Sequence, residues 1–228
     1  MSNTKYRYET HLHTSPVSRC ARANVIETLN HYKNMKYAGV CITNHFIDSN
    51  INISKTYSYK DRIEFCFSDY EKAYAYGQMI GLSVFCGVEM TYQGADFLVY
   101  GLKKDWYLAH PEIENMPRKQ MLDFLRSNGA LVIHAHPFRE GSHIDHINLY
   151  PRNVDGVEIY NATQADMLNE MAQKYAEHYG LIPFAGSDNH VAGKQTRYGG
   201  MECDAPVLND LDFVAKVKNK ALTPFKLS

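Results

Sequence analysis

The sequence predicts an α/β fold whose largely parallel sheet closes into a barrel. Three observations lead there. Short apolar runs of strand type alternate with longer segments of helical periodicity. Residues able to bind cations follow the C-terminal end of strand after strand. An open sheet would spread those positions along an edge, whereas a barrel brings His11 and His190 to one mouth. The 228 residues suit a single α/β barrel, with no internal repeat or low-complexity linker to divide them. One domain over residues 1–228 is therefore expected.

Each element has its own signal. Residues 6–11 form the first expected strand, and in Glu9-Thr10-His11-Leu12-His13 the two histidines fall on one side of it. Residues 14–20 read as loop. Asn24 is placed to cap a helix running to about residue 37, with Val25, Leu29 and Tyr32 on one face, and Gly39 stands where a helix stop is expected. Residues 39–43 form a buried strand that delivers Asn44 and His45. The polar stretch 46–60 reads as a loop over the site. A helix over 61–80 leads to a strand at 82–86 closed by Gly87-Val88-Glu89, and another strand follows at 96–100. Residues 103–117 contain Pro111 and Pro117 and read as loop with a short helix.

A helix over 118–127, stopped by Asn128-Gly129, leads to a strand at 130–133 that delivers His134-Ala135-His136-Pro137. After a loop at 138–152, a strand over 154–159 ends among Glu158, Tyr160 and Asn161. The helix 165–179 is stopped by Gly180, and the strand 181–185 delivers Gly186-Ser187-Asp188-Asn189-His190. Pro183 is unusual within a central strand and calls for a bulge or an early strand start. Residues 191–205 read as loop and 211–218 as a final helix. The count is about seven strands, most of them followed by helices.

Composition narrows the function. With 24 basic and 25 acidic residues the net charge is -1, and neither sign forms a run, so nucleic acid is not expected as a main partner. The five cysteines are odd in number and include no Cys-x-x-Cys, which argues against a zinc ribbon, a thioredoxin-type site or a secreted disulfide framework. Reduced thiols in a cytoplasm are the expectation. No stretch approaches the ~20 apolar residues of a membrane span, and no membrane association is expected. Nothing in the sequence sets an oligomeric state.

The chemistry lies at the strand ends. Imidazole is a common ligand for Zn, Fe and Ni, and mixed His/carboxylate sets also accept Mn. A lone His-x-His is a weak signal, but His45, Glu89, His136, Asp188 and His190 recur at equivalent places. Four motifs stand in order: His11-x-His13, Thr43-Asn44-His45, Gly87-Val88-Glu89 with His136-Pro137, and Gly186-Ser187-Asp188-Asn189-His190. On these motifs the chain resembles the PHP (polymerase and histidinol phosphatase) family, most of all small bacterial histidinol-phosphatase-like members. The resemblance covers nearly the whole chain. It implies a distorted (β/α)7 TIM-like barrel carrying two or three divalent ions, Zn, Mn or Fe. It further implies that His11, His13, Glu89 and Asp188 hold one ion, that Glu89 and His136 hold a second, and that His45 and His190 hold a third. The implied reaction is phosphomonoester hydrolysis by attack of a metal-bound hydroxide, with histidinol phosphate as a candidate substrate.

Two departures from the family pattern stand out. A further His or Asp usually follows the His-x-His pair, but here that region ends in Arg19-Cys20. Arginine cannot ligate a cation, which leaves a third site that is weak, absent or completed by Cys20 as thiolate. The strand 96–100 lacks the His that many members carry, which leaves Asp96 or His134 as a substitute, or a second ion held loosely. By alternation His134 should share its side with His136, as ligand, as support for a ligand or as a packed core histidine. Arg19, Arg22, Arg139 and Arg197 are candidates to hold a phosphate with a bidentate fork. Arg139 is also a candidate catalytic group beside Asp188, and His143 is a candidate general acid from its loop position. The rival readings are a phosphodiesterase or nuclease on the same cluster, and a metal-binding module without catalysis.

Overall fold

A computed structural model describes residues 5–47, 49–142 and 144–227. The seven expected strands are present as β1 (Tyr6–Glu9), β2 (Gly39–Ile42), β3 (Ser83–Tyr92), β4 (Ala95–Tyr100), β5 (Leu131–Ala135), β6 (Gly156–Asn161) and β7 (Ile182–Gly186). Two more, β8 (Tyr198–Cys203) and β9 (Thr223–Leu227), complete a sheet ordered β7-β6-β5-β4-β3-β2-β1-β8-β9. β8 falls where loop was expected. Its Gly199-Gly200 pair interrupts the side-chain pattern that would have marked a strand.

β1, β2 and β3 run parallel, as do β5, β6 and β7, while β4 is antiparallel to both of its neighbours. Here the expected strand–helix alternation breaks. Only Gln93 and Gly94 separate β3 from β4, and both have positive φ, 46° and 83°, as in a tight hairpin turn. A parallel connection needs a dozen or more residues, so this link forces the reversal and distorts the barrel.

The sheet nearly closes on itself. Beyond their strand ends, the β1 and β7 segments pair in parallel through Leu12 and Asn189, with His13 N–H donating to the Asn189 carbonyl at 3.0 Å. Gly186 lies at this seam. A Cβ there would sit 2.5 Å from the Cβ of His11 and 2.8 Å from Glu158 Oε1, so only glycine lets the strands approach. Pro183 is exposed on β7, which ends the hydrogen-bonded order, where a missing donor is tolerated.

The barrel interior is apolar below the mouth. Tyr8, Cys41, Phe85, Leu98, Tyr100, Leu131, Ile133, Phe184 and Met201 point inward from successive strands. Helix α6 (Asp210–Lys218) plugs the floor with Phe213, whose ring lies 5.7 Å from Phe85 and 5.3 Å from Tyr100. Burying each such ring contributes roughly 1.5–3 kcal/mol. The other helices cover the outside: α1 (Val25–Asn34), α2 (Tyr59–Ile80), α3 (Lys104–Ala109), α4 (Arg118–Ser127) and α5 (Asp166–Tyr179).

Asn24 and Glu27 form a reciprocal capping box at the start of α1. The helix ends earlier than expected, with Lys36 at φ 61°. Gly39 instead begins β2, where a Cβ would meet the Ser83 carbonyl oxygen at 2.7 Å. Among the described residues no helix is long and apolar enough to cross a membrane.

Candidate metal centre

The mouth gathers one or two polar side chains from each parallel strand. His11 and His13 continue β1, His45 follows β2, Glu89 lies in β3, and Asp188 and His190 follow β7. His136 follows β5 with φ 26°, and Asp188 has φ 51°. Both lie in the left-handed region that non-glycine residues seldom adopt, a strain found mostly at functional sites.

Glu89 is the centre of the group. Its Oε1 lies 3.2 Å from His11 Nε2 and 3.3 Å from His136 Nε2, and its Oε2 lies 3.4 Å from His13 Nε2 and 2.8 Å from His45 Nδ1. Asp188 faces it from the opposite strand, with Oδ1 3.4 Å from the Nε2 atoms of both His11 and His13. All of these residues are buried except His190, which is partly exposed.

The ring orientations follow from the surrounding hydrogen bonds. Glu158 Oε1 sits 2.9 Å from His11 Nδ1, which places a proton on Nδ1 and aims Nε2, the atom a cation would take, at Glu89 and Asp188. The other oxygen of Glu158 accepts from His136 N–H and from Asn161 Nδ2, each at 2.9 Å. For His13 the tautomer can be traced. Thr14 N–H donates to Asn44 Oδ1 at 2.7 Å, so that atom is the amide oxygen, and Ser18 Oγ donates its one hydrogen to it at 2.8 Å. Ser18 must then accept from His13 Nδ1 at 3.1 Å, leaving His13 Nε2 bare toward the cluster. Glu9 Oε1 accepts from His11 N–H and Ser187 N–H at 3.0 and 2.9 Å, tying β1 to the β7 loop.

Glu158 and Glu9 were not singled out as site residues from the sequence. The available signal was an acid within an otherwise apolar or aromatic strand, in Gly156-Val157-Glu158-Ile159 and Tyr6-Arg7-Tyr8-Glu9.

The cluster draws positive charge. Burial works against ionised Glu89 and Asp188, yet His45 and His11 beside Glu89, and His11 and His13 beside Asp188, hold both carboxyls well below their usual range. Burial likewise opposes protonated His11, but Asp188, Glu158 and Glu89 outweigh it and raise its pKa. His45 is buried too, and Glu89 still lifts it to about 10. Burial, with His190 and His45 nearby, lowers His13 to about 3. Burial would push the Cys20 thiol up, but His190 and His45 bring it down to about 6.

A divalent cation fits this arrangement. Glu89 Oε2 and His45 Nδ1 are buried and close, yet neither makes a hydrogen bond among the described residues. Buried polar atoms left in this way are costly unless something else satisfies them. Among the described residues, four overlapping groups have ligand atoms within 4.8 Å of one another: His11, His13 and Glu89; His11, His136 and Asp188; Glu89, Asp96 and His136; and His13, Cys20, His45 and His190.

The remaining candidates are placed as follows. His134 stays outside the cluster, contrary to the expected alternation. β5 ends at Ala135, and the positive φ of His136 turns the chain, so the two rings part. The His134 ring stacks on Phe97 at 5.1 Å with Tyr150 and Tyr175 at its edges, and burial lowers its pKa to about 3. Asp96, the other substitute, reaches the site, with Oδ2 3.8 Å from His136 Nε2. Arg139 joins it there at 2.7 Å from the same oxygen.

Arg197 is engaged by the Gln164 carbonyl at 2.9 Å and Asp166 at 2.5 Å, and lies over the Tyr160 ring. Arg19 is exposed and donates to the Ile51 carbonyl at 2.9 Å, and Arg22 is exposed near His190. His143, the expected general acid, lies outside the described residues.

Comparison with known proteins agrees with this geometry. Residues 166–194 match the PHP-associated family PHP_C. No curated protein gives a significant sequence match. Among solved structures, the chain resembles a two-domain protein from Bacteroides vulgatus containing a predicted PHP-like metal-dependent phosphoesterase, with a TM-score of 0.68 and 12% identity over 99% of this chain and 66% of that one. It also resembles a proposed metal-dependent phosphoesterase from Bifidobacterium adolescentis, with a TM-score of 0.57 and 12% identity over 83% of this chain and 89% of that one. An amidohydrolase from Chromobacterium violaceum, solved with sulfate and no metal, gives 0.54 and 12% over 95% and 97%. At this identity the likeness is one of fold. The chain thus shares a distorted TIM-like barrel fold with these proteins, and its segment 166–194 is similar to the PHP-associated family.

Proposed function

We propose that the chain is a metal-dependent phosphomonoesterase acting on a small phosphorylated metabolite, with histidinol phosphate as the first candidate. The observation that carries this reading is Glu89, whose two oxygens each face two imidazoles while Asp188 closes the group from the opposite strand. His11, His13, Glu89 and Asp188 would hold one ion, and Glu89, Asp96 and His136 a second, from Zn, Mn or Fe. When bound, such ions activate water at neutral pH and offset charge on the phosphoryl oxygens.

The protein residues have defined parts in that reaction. Glu158 and Ser18 fix the tautomers that His11 and His13 adopt when neutral, so that each would offer Nε2 to an ion. Arg139 sits beside His136, to whose carbonyl its backbone N–H donates at 2.9 Å. Asp96 holds its guanidinium, and its buried Nε has no partner among the described residues. In this reading that fork would take a phosphate oxygen at the edge of the cluster. A monoester suits the balanced charge of -1 better than a polymer, which would need an extended basic groove. The substrate class and the thiol content suit a cytoplasmic protein working as one domain over residues 1–228.

The test is a phosphate-release screen of the protein loaded separately with Mn, Zn and Fe. Monoesters, an oligonucleotide and an amide are offered in parallel. Release from monoesters alone supports the proposal. Cleavage of the oligonucleotide or the amide without monoester turnover overturns it.

A further inference from the structure

We propose that Cys20 gives the outer part of this mouth a thiolate-containing cation position, shared with His45 and His190 and selective for borderline ions such as Zn(II), Fe(II) or Co(II) over Mg(II) and Mn(II). The sulfur and ligand nitrogens of His13, His45 and His190 all lie within 4.8 Å of one another. These residues come from three segments: the loop after β1, the end of β2 and the loop after β7. The imidazoles gather closely, with the His13 ring 4.4 Å from that of His190 and 4.6 Å from that of His45.

The backbone holds the sulfur in place. Arg22 and Ala23 N–H groups donate to the His190 carbonyl at 2.8 and 3.4 Å, and Ala21 N–H donates to Ser18 at 3.2 Å, so the turn carrying Cys20 is tied to the loop carrying His190. Arg19 is drawn away by the Ile51 carbonyl, and of the Arg19-Cys20 pair only Cys20 enters the group.

A sulfur and two or three imidazoles form a donor set that favours Zn, Co and Fe, whereas all-oxygen sets suit Mg and Mn. Cys20 is half-buried, while Cys41, Cys66, Cys86 and Cys203 are buried elsewhere in the fold. The inference rests on the reading that the mouth binds divalent ions, and not on any particular reaction there.

The experiment is a Co(II) titration of the metal-free full chain. Ions bound are counted by elemental analysis, and the near-ultraviolet thiolate-to-cobalt charge-transfer band is recorded. The wild type should show the band, and Cys20→Ser should lose it together with one equivalent of ion. Cys20→Asp should keep that equivalent without the band and accept Mn(II) in its place. Unchanged far-ultraviolet circular dichroism of both variants shows that they fold. Cobalt bound by the wild type without the band, or a band that survives in Cys20→Ser, overturns the thiolate position while leaving the Glu89-centred reading intact. No cobalt bound at all overturns both.

Discussion

Replacing Glu158 with Gln should weaken metal binding about 10- to 100-fold without changing the shape of the pocket. The volume is kept, so the effect comes from the lost charge and the altered hydrogen bonding rather than from packing. Glu158 accepts three bonds, from His11 Nδ1, His136 N–H and Asn161 Nδ2, each at 2.9 Å. A glutamine has one oxygen and one amide group for the same three partners. If its oxygen faces His11, its NH2 meets two donors. If its NH2 faces His11, the ring must carry its proton on Nε2, and the lone pair aimed at Glu89 and Asp188 is lost. Either arrangement leaves a buried donor unmatched, at about 1–3 kcal/mol. A 10- to 100-fold loss of affinity corresponds to about 1.4–2.7 kcal/mol, within that range. Competition against a chelator of known affinity, followed by metal analysis, measures it. Wild-type affinity in a folded E158Q protein would refute the positioning role.

Three other outcomes are expected. Metal loading at pH 7 should release protons, because His11, His45, His136 and His190 bind protons above their ordinary range and ligation requires them bare; by the same sign, occupancy falls as pH drops. An indicator dye measures the release, and loading without it would count against these imidazoles as ligands. His134→Phe should leave metal content unchanged and flatten the acid limb of stability. The folded ring titrates near 3 and the unfolded one near 6.5, so between those values only the unfolded chain gains the proton, and stability falls by up to about 1.4 kcal/mol per pH unit on acidification. Urea denaturation across that window checks the slope, and lost metal would return His134 to the ligand set. Arg139→Lys, which keeps the charge but loses the fork, should raise KM for a monoester several-fold more than it lowers kcat; initial-rate kinetics decide, and an unchanged KM removes Arg139 from substrate binding.

Much of this was legible along the chain because short buried strands and capped helices are local features. β1 to β7 stand within a few residues of where apolar runs and glycine stops placed them, and α2, α4 and α5 likewise. The convergence of His11, His45, Glu89, His136, Asp188 and His190 was also readable, since every parallel strand in a barrel ends at the same mouth. What was hidden depends on geometry that local patterns do not carry. One positive φ at His136 turned that residue out of the β5 alternation and so parted its ring from that of His134. The direction of β4 was set by a two-residue link whose length outweighed the α/β rhythm. Glu158 finds its partner in His11, 147 positions away, and nothing in its neighbourhood marks that contact.

The most direct measurement compares phosphate release from a simple monoester by the metal-loaded wild type and by Asp188→Ala. The same samples are assayed again after chelation and metal return. Asp188 is buried and faces both His11 and His13, so its loss removes a carboxylate from the centre of the cluster. Wild-type turnover should vanish on chelation and return with metal, and a folded Asp188→Ala protein should be inactive throughout. Full activity in Asp188→Ala, or wild-type activity indifferent to chelation, would contradict the proposed function.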